Sequence, residues 1–267
     1  MQWIPRLGTI VLLLAFALPV HAGVTLDGVD GRISFGDLSA YDAADTTFTV
    51  VIHFKTTSSA LGYLLARRVA GGTGNGGWFA RLEADGTMTV RIVDGGNLNA
   101  GQRSTVATVN DGTIQNLAAV VTTNTTTLAS NDVTLYVKGV QSQGARTDSG
   151  GSGYHICSAS CTLMAGATSD LTSFFAGTIE MIEIYPVGLT TNEITTLGVG
   201  QLQRPGLSRS RTVLWPLDDC AHGGSINSVT FRDRSGNGRD GTGSNGANGT
   251  GDTCTATTSL SIPWGAN

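Results

Sequence analysis

Charge is scarce in this chain. Of its 267 residues only 13% are Asp, Glu, Lys or Arg, and only two, Lys55 and Lys138, are lysines. No stretch gathers basic residues, so neither a nucleic-acid backbone nor an anionic bilayer finds an electrostatic footprint, and both drop out as expected partners. Glutamate is limited to Glu83, Glu180, Glu183 and Glu193, a small stock for a glycosidase, which needs two carboxyl groups facing each other across a sugar. Nucleophile elbow, phosphate-binding glycine loop and HExxH pair are all missing. Helical periodicity is confined to one segment, which excludes alternating βαβ designs. Past the N-terminal residues, no apolar run approaches the roughly 20 residues of a membrane-spanning helix.

What is present first is an export signal. Residues 1–22 carry Arg6 ahead of an apolar run from Ile10 to Val20, then Val20-His21-Ala22 before Gly23, the layout of a cleaved secretory signal peptide. Its removal takes the basic residues from 16 to 15 against 20 acidic ones, for a formal net charge of −5. The expected location is therefore outside the cell or in the periplasm, without a membrane span. In that oxidising setting the four cysteines, Cys157, Cys161, Cys220 and Cys254, are expected to form two disulfides; sequence proximity suggests Cys157 with Cys161 and Cys220 with Cys254, although three pairings are possible.

The remaining sequence alternates β-branched or aromatic residues with polar ones in short runs closed by glycine-containing turns, a period-two strand signal. In Thr47–Lys55, Phe48, Val50, Ile52 and Phe54 share one face, leaving Thr49, Val51, His53 and Lys55 to meet water or ligand. Trp78 to Glu83 and Thr87 to Val93 flank Ala84-Asp85-Gly86 as a hairpin. It puts Trp78, Ala80, Leu82, Met88, Val90 and Ile92 on one surface and Arg81, Glu83 and Arg91 on the other. Further strands are expected at 114–122, 133–138, 161–166 and 178–185, and one short helix after Leu189, where Thr190 and Glu193 have the spacing of a capping box. The Gly- and Asn-rich stretch 235–253 reads as a loop. The fold expected is all-β, an antiparallel two-sheet β-sandwich.

Six phrases in order, LDGVDGRISF, FTVVIHFKT, GWFARLEADGTMTVRI, VTLYVKG, LMAGAT and FFAGTIEMIEIYPVGLTTNEI, resemble the laminin-G-like, concanavalin A-like jelly-roll superfamily over about residues 24–197. The resemblance implies one convex and one concave sheet, binding of sugars or proteins outside cells, and often a calcium ion near a rim. A further phrase, LWPLDD followed by DRSGNGRDG, looks like the lead-in that usually precedes such domains but here follows one. The expected division is a jelly-roll domain over 23–200 and an extension over 201–267 that completes the sandwich, with 211–218 and 257–264 beside the N-terminal strand and Cys220–Cys254 clamping the loop between.

Candidate sites follow from side-chain chemistry. Asp233, Ser235, Asn237 and Asp240 offer oxygens around flexible glycines and are expected calcium ligands, the alternative being a turn in which they bond nearby amides. Asp27 and Asp30 read as an Asp-Gly turn closing a strand. Glu180 and Glu183, three apart, leave a regular strand on opposite faces. His53, Arg81, Arg91 and Tyr136 are ligand-binding candidates on the outer strand faces, the set that lyase chemistry on a uronate would also want; Tyr63, Tyr136 and Tyr154 are stacking candidates. The functional expectation is a secreted, non-catalytic module recognising a glycan or a cell-surface or matrix protein, assisted by calcium. A self-associating structural surface protein is the alternative, and a polysaccharide lyase or glycoside hydrolase stands third.

Overall fold

The computed structural model describes residues 23–38, 46–68, 76–94, 99–123, 132–147, 161–168, 171–198, 211–246 and 251–255. Residues 1–22, expected as a signal peptide, together with Cys157, Tyr154 and residues 257–264, lie outside them.

Two eight-stranded antiparallel sheets face each other. The first contains β1 (Val24–Asp27), β3 (Thr47–Lys55), β8 (Gln115–Thr122), β9 (Asp132–Val137), β10 (Val140–Gln141), β12 (Ala176–Tyr185), β13 (Val213–Trp215) and β16 (Thr253–Cys254). Its order is β10-β9-β8-β3-β12-β1-β16, with β13 also on β12. The second contains β2 (Arg32–Asp37), β4 (Gly62–Arg68), β5 (Gly77–Leu82), β6 (Met88–Val93), β7 (Asn99–Ser104), β11 (Thr162–Ala165), β14 (Thr230–Phe231) and β15 (Gly241–Ser244), in the order β14-β15-β2-β11-β4-β5-β6-β7. This is a jelly-roll sandwich.

Period-two alternation makes the core. Phe48, Val50, Ile52 and Phe54 of β3 meet Trp78, Ala80, Leu82, Met88, Val90 and Ile92 of the β5–β6 hairpin in one buried cluster. Trp215 stacks on Phe35 across the sandwich, centroids 3.7 Å apart, and Phe48 lies 5.4 Å from Trp78. Rings of this size remove large apolar areas from water and dominate the stabilisation.

The outer face of the first sheet is not open along its length. Helix α1 (Thr191–Gly198) lies over it, burying Val51, Ala118, Tyr136, Tyr185, Leu189, Ile194 and Leu197 as a second cluster. Its start is fixed by the expected box: the Glu193 carboxylate accepts from the Thr190 amide and hydroxyl at 2.7 Å, and Thr190 Oγ1 accepts from the Glu193 amide at 3.4 Å. Val51 under the helix and Thr49, bonded to the Val187 carbonyl and the Leu189 amide, are shielded from solvent, contrary to the expectation for that face of β3.

Residues past 211 supply strands to both sheets. β13 pairs the second half of β12, β1 pairs the first half, and β16 pairs β1. The stretch expected as a loop contains β15, which pairs β2. It can do so because glycine admits close approach: a Cβ on Gly241 would lie 2.4 Å from the Phe35 ring, and one on Gly243 would lie 2.3 Å from the Ile226 carbonyl. Cys220 is bonded to Cys254; Cys161 is also disulfide-bonded.

A buried ion pair ties this return segment to the sheet. Arg211 Nη1 lies 3.3 Å from Glu183 Oε2, which also accepts from the Tyr185 hydroxyl, and both charged side chains are almost fully buried. Burial pushes the Glu183 carboxyl upward, opposed by the Arg211 charge and the tyrosine hydrogen bond. Truncating one member strands the other. Arg211→Ala should therefore lower unfolding free energy by about 3–5 kcal/mol, read as the denaturant midpoint, while the paired change Arg211→Met with Glu183→Leu should cost clearly less; equal losses would show that the pair itself is not what matters.

Candidate functional site

The acidic cluster in this structure is assembled from residues far apart in sequence. Asp27 ends β1, Asp30 lies in the turn that carries the chain from β1 in one sheet to β2 in the other, and Asp252 precedes β16. Pairing of β1 with β16 brings Asp252 beside Asp27, whose amide donates to Asp252 Oδ1 at 2.9 Å. One carboxylate oxygen from each of the three lies within 4.8 Å of the other two. Asp27 is exposed, whereas Asp30 and Asp252 are 8% and 1% exposed. Asp27 Oδ1 accepts from the Val29 amide at 2.8 Å.

Glycines leave the room that these carboxylates occupy. A Cβ on Gly31 would lie 2.2 Å from Asp252 Oδ1, one on Gly251 2.1 Å from Asp27 Oδ2, and one on Gly246 2.9 Å from Asp30 Oδ2. Gly246 and Gly251 also have positive φ, at 60° and 106°, which side chains other than glycine adopt at a cost. Three acids gathered with little solvent repel one another. Burial, with the charges of Asp27 and Asp30 adding to it against the Asp27 amide hydrogen bond, raises Asp252 from 3.8 to about 6.

Asp252 Oδ2 is buried with no hydrogen-bond partner. A buried acceptor without a donor is costly, and an anionic one more so. Three convergent carboxylates with one oxygen left unsatisfied form the hard-oxygen donor set that a divalent cation requires. The residues fit such an ion.

The loop expected to hold calcium is organised differently. Asp233 Oδ1 accepts from the Leu214 and Ser235 amides at 3.0 and 2.9 Å, and Oδ2 from the Arg239 amide at 3.2 Å. Asp240 Oδ1 accepts from the Asp233 amide at 2.8 Å, Ser235 Oγ donates to the Thr212 carbonyl at 3.0 Å, and Asn237 directs its amide nitrogen to that same carbonyl at 3.0 Å. Both Asp233 oxygens and one Asp240 oxygen thus accept backbone N–H groups, and Ser235 and Asn237 donate to the Thr212 carbonyl, so the four residues lash a turn to the residues at and before β13.

The four ligand-binding candidates do not converge. His53 and Tyr136 belong to the first sheet, Arg81 and Arg91 to the second. Tyr136 is buried under α1, its hydroxyl 3.1 Å from Thr191 Oγ1. His53 is half-buried, with the Asn116 amide donating to Nε2 at 2.9 Å. Tyr63 is buried against Phe79, ring centroids 5.1 Å apart. Arg81 and Arg91 do share a face, on adjacent strands of the hairpin. The lyase constellation is therefore not assembled from this set. For Glu180 and Glu183 the register shift between Ile179 and Met181 interrupts the alternation that assigned them opposite faces; what withdraws Glu183 from any substrate is its burial with Arg211.

A family model of the concanavalin A-like lectin/glucanases superfamily matches residues 27–195, well over half of the chain, which therefore belongs to that superfamily. No curated protein sequence matches it. Among solved structures, the chain is similar to a candidate carbohydrate-binding protein from Bacteroides ovatus, at 15% identity and TM-score 0.54, over 90% of this chain and 62% of that one. It thus spans less than two thirds of that protein's length. It is also similar to the CBM40 of a Ruminococcus gnavus IT-sialidase bound to α2,3-sialyllactose, at 20% identity and TM-score 0.49, over 66% of this chain and 96% of that one. The third likeness is to domains LG4-5 of the mouse laminin α1 chain, at 14% identity and TM-score 0.45, over 70% and 48%. At 15% identity the first of these likenesses speaks to the fold alone.

The raised Asp252 pKa has a defined sign. A carboxyl that holds its proton more tightly when folded contributes stability at low pH that is lost as pH rises through its folded value, here about 6. In chelator, the melting temperature should fall between pH 4.5 and 7.5, and Asp252→Asn should flatten that part of the curve. A wild-type profile matching that of the variant would show that the acidic cluster carries no such linkage.

Proposed function

We propose that this member of the concanavalin A-like lectin/glucanases superfamily is an extracellular binding module that recognises a glycan or a surface or matrix protein, with a calcium ion held by Asp27, Asp30 and Asp252. The observation that carries the reading is the partnerless, buried Oδ2 of Asp252 among three carboxylates where the chain crosses between sheets. An ion there would neutralise mutual repulsion and fix the β1–β2 turn against the residues before β16. Exported chains carry paired cysteines, and the Cys220–Cys254 bond supports that setting. Among the described residues, no helix is long and apolar enough to cross a membrane.

Recognition by such a module is presentation. A sandwich with a close-packed interior holds side chains on its faces and turns, so binding costs little reordering. The self-associating alternative gains less support from the sheet edges. Three of the strands that end the sheets, β10, β14 and β16, are two residues long, and the longer fourth, β7, is partly covered by residues 144–147, whose Thr147 exchanges both backbone hydrogen bonds with Gln102, so little template is left for strand addition by another chain.

Calcium should raise the melting temperature of the purified protein, chelator should reverse the rise, and Asp252→Asn should abolish it. On a glycan array, retained sugars should be lost or weakened on chelation. Absence of calcium uptake by calorimetry would remove the ion from the reading; absence of any retained glycan, with a multimer in sedimentation, would favour the structural alternative.

A further inference from the structure

Asn245 keeps an oxygen that nothing in the fold answers. The residue is 1% exposed, and its Oδ1 is buried with no hydrogen-bond partner. Its amide nitrogen is engaged: Nδ2 donates to Ser225 Oγ at 2.8 Å and to the Asp252 carbonyl at 3.5 Å. The second contact fixes which end of the amide is which, because a carbonyl oxygen only accepts and would repel Oδ1 if the group were turned over. The orphan is therefore the oxygen. A buried acceptor left without a donor is costly, and native structures hold few of them.

The place of this residue in the chain relates it to the carboxylates. β15 ends at Ser244, paired with Arg32, and Gly246 follows Asn245 with a positive φ of 60°. A Cβ on Gly246 would lie 2.6 Å from Asp30 Cβ and 2.8 Å from Asp30 Cγ, so the backbone next to Asn245 touches Asp30, while Nδ2 of Asn245 reaches Asp252. Asn245 thus adjoins two of the three acids. The two partnerless oxygens, Asp252 Oδ2 and Asn245 Oδ1, belong to residues in direct contact. A calcium ion takes roughly six to eight oxygens, and three carboxylates giving one oxygen each fall short of that number. A further carboxylate would add to the repulsion among the three, whereas an amide oxygen adds a ligand without charge.

We infer that Asn245 Oδ1 is a neutral ligand of the cation held by Asp27, Asp30 and Asp252. The inference rests on the calcium reading of the carboxylate cluster and adds to it a side chain of different chemistry. Asn245 and Asp252 both come from the segment past residue 211, Asp27 and Asp30 from the start of the chain, so each end supplies half of the side-chain ligands and neither makes the site alone. Nδ2, bonded to Ser225 and to the Asp252 carbonyl, holds the amide in place and so acts as a positioning group for the oxygen. A buried water that bonds Asn245 Oδ1 without any ion is the competing account.

Calcium titration by calorimetry of the wild type, Asn245→Ala, Asn245→Asp and Asp252→Asn, with melting curves in calcium and in chelator, tests it. Asn245→Ala should weaken calcium binding roughly tenfold or more and shrink the calcium-induced rise in melting temperature. Asn245→Asp, which keeps an oxygen, should retain calcium binding and melt lower in chelator, because a fourth carboxylate joins the three. With terbium as the probe, luminescence lifetimes in light and heavy water should show an additional bound water in Asn245→Ala. Calcium bound by Asn245→Ala as tightly as by the wild type, with no water added on terbium, would overturn the inference in favour of the buried water and leave the carboxylate site standing. Equal weakening by Asn245→Ala and Asn245→Asp would assign the effect to the Nδ2 hydrogen bonds and overturn it as well. If Asn245→Ala does not fold, Asn245→Asp decides alone, and loss of calcium binding by it overturns the inference. Calcium uptake absent from the wild type, or unaffected by Asp252→Asn, would overturn the calcium reading and this inference together.

Discussion

The packing of β12 against β3 is the contact on which the rest of this molecule depends. Among the described strands β12 is the longest, and its flank opposite β3 is shared end to end by β1 and β13. Its inward residues Ile179, Ile182 and Ile184 anchor the main core, and its outward Glu183 and Tyr185 receive Arg211 and the cover of α1. Because β1 is held by β12, Asp27 has a fixed position; because β16 is held by β1, Asp252 reaches it. The geometry of the acidic cluster is thus a downstream product of apolar alternation in a strand that contributes no ligand to it.

Acids and arginines come together by different physical routes. Acids converge through strand pairing between residues separated by 225 positions, whereas Arg81 and Arg91 share a face through local hairpin register. The acidic cluster concentrates like charge where solvent is partly excluded, and a cation from outside the chain would relieve it. In contrast, the buried pair Glu183–Arg211 is internally matched and carries a fold-fixing role.

Much of the sandwich was legible in the sequence because the strands with one wet face announce themselves by alternation. β3, the β5–β6 hairpin, β8, β9 and β12 fall where the pattern places them, and the capping box marks α1. β4 escapes this signal because every one of its residues is buried, so GYLLARR shows no period. β15 escapes because glycine, the usual sign of a loop, is there to let backbones approach. The register shift at Ile179 and Met181 leaves no mark in a string of apolar and acidic residues. Site residues were harder for the same reason that they are sites. Asp27 and Asp30 look like a turn until Asp252 joins them, and nothing local to GDTC points back to the opposite end of the chain. Tyr136 alternates outward as expected, but only the docked helix shows that outward there means covered. Arg81 and Arg91 share a face, as the hairpin pattern placed them.

Joining β1 to β16 has a temporal consequence. A chain emerging from the ribosome with its first strand ready must wait more than two hundred residues for the neighbour that closes that edge, and the Cys220–Cys254 bond and the third carboxylate arrive with it. Contacts of such long sequence separation form late. Slackness is therefore written into the topology: the polypeptide cannot lock into its final form until Cys254 has appeared, so the seam that joins the two ends of the chain is among the last parts to harden.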